Sequence, residues 1–501
     1  MKKQLISGTI FKLLERFTFI VISLLLTPFL INNLGLDGYG FWLLALSILG
    51  WFNVIDLGFP AAVQRNIILA LELNDERKLN VVFATSMVLF TLLGAISAFS
   101  LIGISNFAIS LFGSESESLS IVLTIFALKV FLDFFMNSFH GFYSAFLRYD
   151  IDSNLTSLNV IIKSGLIIIL VPFYGIWGAV FATIFADILT NILKVYYAKK
   201  LYPPLSFNIK YFSFEEARSL FSYSKHVIAA GVARTINLRA DPFIINKLLD
   251  LTAVATYGVA NRLAMHVRAF AFTINDMLTP IFIKKSAKNE NMENMFHNAI
   301  NINFFTTSLL FTPLIILGHY FIMLWVGEQF KDTIYIIYFI IFSFLCRVIS
   351  SSINQILFAQ AKHKLISIIS LIGAIFNIIL SIVFASYYGL IGIAMGTSIG
   401  FFISDVVLSL ILLKRYNPYD ITPVVINFIK ATAFIFVIGL TLKYYVEENF
   451  LITWLNIITL GFTAFLFCFI LSWFLILNKR LRNVSLIQAQ KLTTSIKKRF
   501  I

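Results

Sequence analysis

The chain has 501 residues, 59% of them hydrophobic and only 13% charged, with 54 phenylalanines and a mean hydropathy of +0.88. Soluble domains run near 45–50% apolar and about 25% charged, so this chain has too little polar surface to cover a water-soluble globule. A soluble enzyme, a nucleic-acid-binding protein and a secreted disulfide scaffold are excluded, and the net charge of +14 reads instead as the lysines and arginines of cytoplasmic loops in a polytopic membrane protein.

A spanning helix needs about 20 apolar residues. Fourteen runs qualify as spans 1 to 14, in chain order: 9–31, 39–59, 80–102, 118–140, 155–173, 175–197, 223–247, 252–276, 298–318, 333–357, 365–387, 389–413, 423–446 and 451–477. The first follows Met1-Lys2-Lys3 but ends without a small-residue cleavage site, so it reads as a retained helix and not a signal peptide. The links are short. The longest, 198–222, is basic and aromatic, and none can house a soluble domain. The N-terminus, the alternate links and the 479–501 tail together hold 24 Lys and Arg, against about 3 on the other side. Both termini are therefore expected in the cytoplasm. The bias toward Ile, Asn, Lys and Phe points to an AT-rich gene and so to a bacterium, and the chain is expected in the inner membrane. Cys346 and Cys468 lie inside apolar runs, and His140, His226 and His266 have no metal-ligand spacing. No cofactor or metal is expected, and no P-loop is present.

An internal repeat runs through the chain. Pro28-Phe29-Leu30-Ile31-Asn32 is expected to close span 1, and Pro242-Phe243-Ile244-Ile245-Asn246 to close span 7, 214 residues later. Tyr39-Gly40 and Tyr257-Gly258 open spans 2 and 8. Tyr174-Gly175-Ile176-Trp177-Gly178 and Tyr388-Gly389-Leu390-Ile391-Gly392 open spans 6 and 12, again 214 apart. Each repeat holds six spans, an even number, so the two are parallel and related about an axis along the membrane normal. The expected organisation is all-α. It has an N-lobe over 1–210, a C-lobe over 211–415, spans 13 and 14 over 416–478 and a basic cytoplasmic tail over 479–501.

This arrangement resembles the polysaccharide-export branch of the multidrug/oligosaccharidyl-lipid/polysaccharide (MOP) exporter superfamily, above all the O-antigen and capsule repeat-unit flippases of the Wzx type. The residues that carry the resemblance are Leu34-Gly35-Leu36-Asp37-Gly38-Tyr39-Gly40-Phe41-Trp42, then Asp56-Leu57-Gly58 and Arg65, with the Tyr174-Gly175 and Tyr388-Gly389 turns. The resemblance implies a MATE-like fold of two six-helix lobes around a central cavity, alternating access, and a polyprenyl-diphosphate-linked oligosaccharide of the undecaprenyl type as cargo. Membrane lipids and other polysaccharide assembly proteins are the further partners implied; nucleic acid is not one.

Ionisable side chains near the bilayer centre cost about 2.5–3.5 kcal/mol each on insertion and mark functional sites. Span 7 carries Lys225, Arg234, Arg239 and Asp241; span 8 carries Arg262, His266, Arg268 and Asp276. Arg262 and His266 share a face at i,i+4. The surplus positive charge suits a diphosphate, which guanidinium groups grip through two-pronged contacts. Pairing with Asp187, Asp241 or Asp405 is the alternative. At the repeat offsets these cations correspond to Ile20, Leu25, Leu44 and Ile48. One cavity wall is thus expected to hold the diphosphate-sugar and the other to accept lipid. Arg16, Lys163 and Arg347 are further candidate cavity cations. Glu15 beside Arg16 suits a gate, a cavity charge or a snorkelling pair. Lys129 and Asp133, at i,i+4, suit an internal pair. Asp187 and Asp405, near midspan of spans 6 and 12, suit proton coupling or pairing with a cation. Asp56 with Arg65 suits a cap or gate at the inner end of span 2.

The competing functions are a lipid II flippase and a cation-coupled multidrug exporter of the same superfamily. A drug-cation exporter needs an acidic cavity, whereas this one is basic. A membrane sugar polymerase or transferase needs acidic residues and generous outside loops. The outside links here are short and few, so the chain is not expected to be an enzyme.

Overall fold

The computed structural model describes residues 2–52, 59–112, 117–272, 281–286, 288, 290–360, 362–447, 453–483 and 487. The helices are α1 (Lys2–Phe52), α2 (Phe59–Glu72), α3 (Glu76–Phe112), α4 (Glu117–Ala145), α5 (Tyr149–Leu201), α6 (Phe214–Arg239), α7 (Asp241–Leu248) and α8 (Leu251–Ala271). They continue with α9 (Glu293–Val326), α10 (Thr333–Ala359), α11 (His363–Phe401), α12 (Ser409–Tyr416), α13 (Thr422–Ala433), α14 (Gly439–Glu447) and α15 (Trp454–Leu475). Among the described residues there is no strand, and nine helices are long and apolar enough to cross a membrane. Phe99 and Phe173 are 73% and 80% exposed. Faces this apolar have a solvent only in lipid.

Three of the nine stretches, Phe11–Phe52, Tyr149–Leu201 and Lys364–Tyr416, run to 42, 53 and 53 residues, about twice the length of one crossing. Each contains a glycine outside helical geometry: Gly35, Gly175 and Gly389. In α5 the chain folds back. Asn159 Nδ2 lies 2.9 Å from Asp187 Oδ1, although 28 residues of straight helix would hold them about 42 Å apart. In α11, Thr397 Oγ1 reaches Asn377 Oδ1 at 3.1 Å in the same way.

The two turns are the same turn. Gly175 has φ 53 and ψ −133; Gly389 has φ 54 and ψ −132. An L-residue with a side chain pays a steric penalty at such a φ, which is why glycine stands at both. Beyond the turn, a Cβ on Gly178 would press on the Leu170 carbonyl, and one on Gly392 would press on that of Phe384, again 214 residues on. Gly178, Ala182 and Ala186 in one hairpin answer to Gly392, Gly396 and Gly400 in the other. Small residues every fourth position let helix backbones approach closely in a membrane.

The chain divides into two compact units, Met1–Gly258 and Val259–Ile501. In unit 1, Phe83 packs edge-on to Phe139 and Phe142 at 5.2 and 5.6 Å. A Cβ on Gly40 would collide with the Leu251 carbonyl, and one on Gly258 with the Leu43 side chain. The two equivalent glycines thus each seat against the other's helix. In unit 2, α9 packs against α10 and α15, with Asn301 Nδ2 donating to the Ile476 carbonyl at 2.8 Å.

Three local features differ from the expectations. α1 runs straight through Pro28 and breaks at Gly35, whereas Pro242 sits in the first turn of α7, where a missing N–H costs nothing. α6 begins at Phe214, nine residues before span 7, because the Ser213 hydroxyl accepts from the Glu216 N–H at 3.3 Å. An amphipathic helix, α2, precedes span 3 and was not anticipated.

Candidate functional site

Charged side chains inside unit 1 gather at three places. The first lies between α4 and the α5 hairpin. Lys129 Nζ is 3.0 Å from Asp133 Oδ2, the expected i,i+4 pair, and 2.6 Å from Asp187 Oδ2. Asn159 completes the Asp187 carboxylate and also donates to Thr190 Oγ1 at 3.0 Å. Lys163, half-buried on the same hairpin, lies within electrostatic reach of Asp187, Lys129 and Asp133. Lys194 of α5 also acts on the Asp133 charge, so the group holds three ammonium and two carboxylate groups.

The second place is nearer the α1 N-terminus. Glu15 takes Lys12 as its partner at 3.2 Å; Lys12 also reaches Asp152 at 3.3 Å, and His140 Nδ1 lies 3.1 Å from Asp152. The chain α1–α5–α4 is thus stitched through one buried carboxylate. Arg16 is exposed on α1 beside it.

The third place is the end of α6. Arg239 is half-buried, and its guanidinium lies over Gly50 so closely that a Cβ there would sit 2.6 Å from Nε. Among the described residues no hydrogen bond or ion pair is made by Arg239. Two residues on, the buried Asp241 accepts a 2.5 Å hydrogen bond from Tyr257, which ties α7 to the start of α8. The carboxylate nearest in sequence is thus engaged elsewhere. Arg234 lies on α6, but its side chain is outside the described residues, as is Asp56 altogether.

Unit 2 brings together residues that are far apart in sequence. Arg347 of α10 places Nε 3.4 Å from Asp405 Oδ2, in the π-helical segment Phe402–Leu408 that joins α11 to α12. The same guanidinium stacks 4.5 Å above the Phe401 ring. Arg268 of α8 also acts on the Asp405 charge, and its guanidinium stands 5.2 Å from the rings of both Phe272 and Phe344. Two guanidinium groups face one carboxylate between aromatic walls. Arg262 and His266 lie half-buried on the same helix as Arg268, one turn apart. Guanidinium groups held on ring faces keep their edges for an oxyanion, a geometry suited to phosphate.

A profile of the family described as polysaccharide biosynthesis protein matches residues 34–335, which is most of the chain. The chain belongs to that family. This family member is 22% identical over 493 residues to the membrane protein EpsK of Bacillus subtilis (strain 168), covering 94% of this chain and 95% of EpsK. It is 21% identical over 406 residues to a putative O-antigen transporter of Shigella flexneri, covering 78% of this chain and 94% of the transporter. Among solved structures, the lipid II flippase MurJ in an inward closed conformation superposes with a TM-score of 0.70 at 18% identity. That match covers 93% of this chain and 99% of MurJ. The fold is therefore that of the MOP exporters, as the repeat and the motif residues led one to expect. The relatives whose names state an activity are a transporter and a flippase, not enzymes.

Several members of these clusters gave no signal of their own. Asn159, Thr190, Lys12 and Asp152 read in the sequence as ordinary helix residues. One signal was available: Lys129–Asp187 and Arg347–Asp405 are both cation–carboxylate pairs 58 residues apart.

Proposed function

We propose that this protein is a flippase that carries a polyprenyl-diphosphate-linked oligosaccharide, an O-antigen or capsule repeat unit, across the bacterial inner membrane by alternating access. The observation that carries the reading is Arg239. A guanidinium half-buried in a membrane protein, paired with no carboxylate among the described residues, suits an anion. The two guanidinium groups over Asp405 add a second excess of positive charge in unit 2. Family membership and the names of the O-antigen transporter and the lipid II flippase support the cargo class.

In this reading Arg234, Arg239, Arg262, His266, Arg268, Arg16, Lys163 and Arg347 line the path of the anionic head. Glu15, Asp56, Asp187, Asp241 and Asp405 serve gating or ion coupling. The two six-span lobes, 1–210 and 211–415, are parallel repeats, with both termini in the cytoplasm. The paired Gly40 and Gly258 contacts support that symmetry. Lipid II bears the same diphosphate, and the MurJ likeness favours it as the second reading.

The test is surface polysaccharide in a strain lacking this chain, complemented by variants whose membrane level is checked by blot. Arg239→Ala should abolish export, and Arg239→Lys should restore only part, since lysine keeps the charge and loses the fork. Full export by Arg239→Ala would overturn the reading. Rescue of a strain lacking its lipid II flippase, without rescue of polysaccharide export, would favour the second.

A further inference from the structure

The basic and aromatic link between α5 and α6 has no role in the site above. It leaves α5 at Leu201, makes one turn of 3₁₀ helix at Ile209–Tyr211 and enters α6 at Phe214. Three pins hold it along the start of α3. Asn80 Oδ1 accepts from the Ser206 N–H at 2.7 Å, while its Nδ2 donates to the Pro204 carbonyl at 3.2 Å. Phe207 packs on Phe83 and Phe139 at 5.9 and 6.1 Å. The Ser213 N–H donates to Thr85 Oγ1 at 3.1 Å.

These pins set the depth of the link. α3 is long and apolar enough to span, and its charges stand only in the first turn, at Glu76, Arg77 and Lys78. Thr85 lies seven residues beyond Lys78, about 10 Å deeper at 1.5 Å per residue. The headgroup region takes up only about 5–7 Å on each side of a bilayer. Ser213 and the adjoining Phe214 therefore stand past the headgroups, at the edge of the hydrocarbon. The backbone of the link suits that depth, where an N–H needs a partner within the protein. Ser206 Oγ accepts from the Asn208 N–H at 3.3 Å, Asn208 Oδ1 from the Lys210 N–H at 2.9 Å, and the Ile209 carbonyl from the Phe212 N–H at 2.8 Å. Pro203 and Pro204 have no N–H to place. Two large apolar side chains on this well-held segment nevertheless point outward: Ile209 is 73% and Phe214 78% exposed.

We propose that the link is an interfacial wedge, with Ile209 and Phe214 inserted into the leaflet at the Leu201 end of α5. Lys210 follows Ile209, and Arg218 shares the exposed face of Phe214 one turn on. Both have stems long enough to lie along the inserted side chains and carry their charge back to the lipid phosphates. Depth decides the occupant, not net charge. The link and the first turns of α6 set Lys199, Lys200, Lys210 and Arg218 against Glu215 and Glu216, of which Glu216 bonds to Asn66 at 2.6 Å. The corner of α2 and α3 beside them is balanced, with Arg65, Arg77 and Lys78 against Glu72, Asp75 and Glu76. The wedge is continuous with the lipid-facing end of α5, where Tyr196 and Tyr197 are exposed just before Lys199 and Lys200. Tyrosines followed by lysines at the end of an apolar helix mark the membrane–water interface.

Spin labels on the full-length protein, in nanodiscs of phosphatidylcholine and phosphatidylglycerol, test the depth. Ile209→Cys and Phe214→Cys are labelled in turn; Cys346 and Cys468 are buried, and the unsubstituted chain gives their background. Power saturation compares collisions with oxygen, which partitions into lipid, and with a nickel chelate, which stays in water. Both labels should meet oxygen and escape the chelate, at a depth of about 5–10 Å. A label at Lys200→Cys should meet the chelate instead. Each of the two wedge positions is exposed and reports alone, so one decides should the other variant fail to fold. Ready collision with the chelate at 209 or 214 would put the wedge in water. Shielding from both reagents would put it under protein, against another part of the chain or a second copy. Either result would overturn the proposal.

Discussion

The α5 hairpin and the α11 hairpin share a backbone and differ in what fills it. Their turns agree to within a degree at Gly175 and Gly389, and their small residues fall at matching positions. Inside the first hairpin Lys163 occupies the place held in the second by Asn377, whose side-chain oxygen is shared by Ser381 and Thr397 at 3.0 and 3.1 Å. One repeat has charged its interior, and the other has kept it neutral and hydrogen-bonded. Each also pairs a carboxylate with a cation from a helix outside the hairpin. At the 214 offset, Asp187 corresponds to Phe401, and Asp405 lies one turn further on. Arg347 stacks on Phe401 while reaching Asp405, so the cation spans both positions. The π-helical segment Phe402–Leu408 lies where the register departs. Duplicated scaffolds thus hold the backbone rule fixed while the polar filling diverges.

The largest effect should come from breaking one pair and not the other. Arg347→Met leaves the buried Asp405 with the more distant Arg268 and the Ser350 hydroxyl among the described residues and should cost about 3–5 kcal/mol, the usual penalty for orphaning one half of a buried pair. Lys129→Met leaves two carboxylates, but Lys163 remains beside them, so its cost should be smaller. Thermal unfolding in detergent, followed by size-exclusion chromatography, reads both. Arg347→Met combined with Asp405→Leu should recover most of the lost stability. No recovery would show that the pair is not the unit. Gly175→Ala and Gly389→Ala should each cost about 1–2 kcal/mol, and equally, because the strained φ is the same. Unequal losses would break the equivalence of the turns.

Both turns and the membrane architecture were legible in the sequence because glycine and tyrosine at a fixed offset are local signals. So was the Lys129–Asp133 pair, whose spacing is one helical turn. Pairing with a cation was legible for Asp187 and Asp405, but the identity of the partners, Lys129 and Arg347, is set only when the hairpins close, and the shared 58-residue spacing is the one trace of it in the sequence. The α6 start is not legible in the apolar run because the Ser213 cap sets it nine residues earlier. α2 went unseen because its amphipathic pattern is too polar to read as a span.

The smallest effect on stability concerns Gly50. A methyl at that position meets Arg239 Nε at 2.6 Å, and the guanidinium is the far end of a flexible side chain. Gly50→Ala should therefore displace Arg239 and leave the fold nearly as stable; replacing glycine by alanine within a helix gains roughly 0.5–1 kcal/mol in itself. If Arg239 holds the anionic head, that displacement weakens a charge-assisted contact worth about 1.5–3 kcal/mol, and export should fall about 10- to 150-fold at unchanged protein level. A neutral Gly50→Ala would mean that the guanidinium reaches its anion from more than one position. An equal loss in Gly50→Ala and Arg239→Ala would fix it to the place over the glycine.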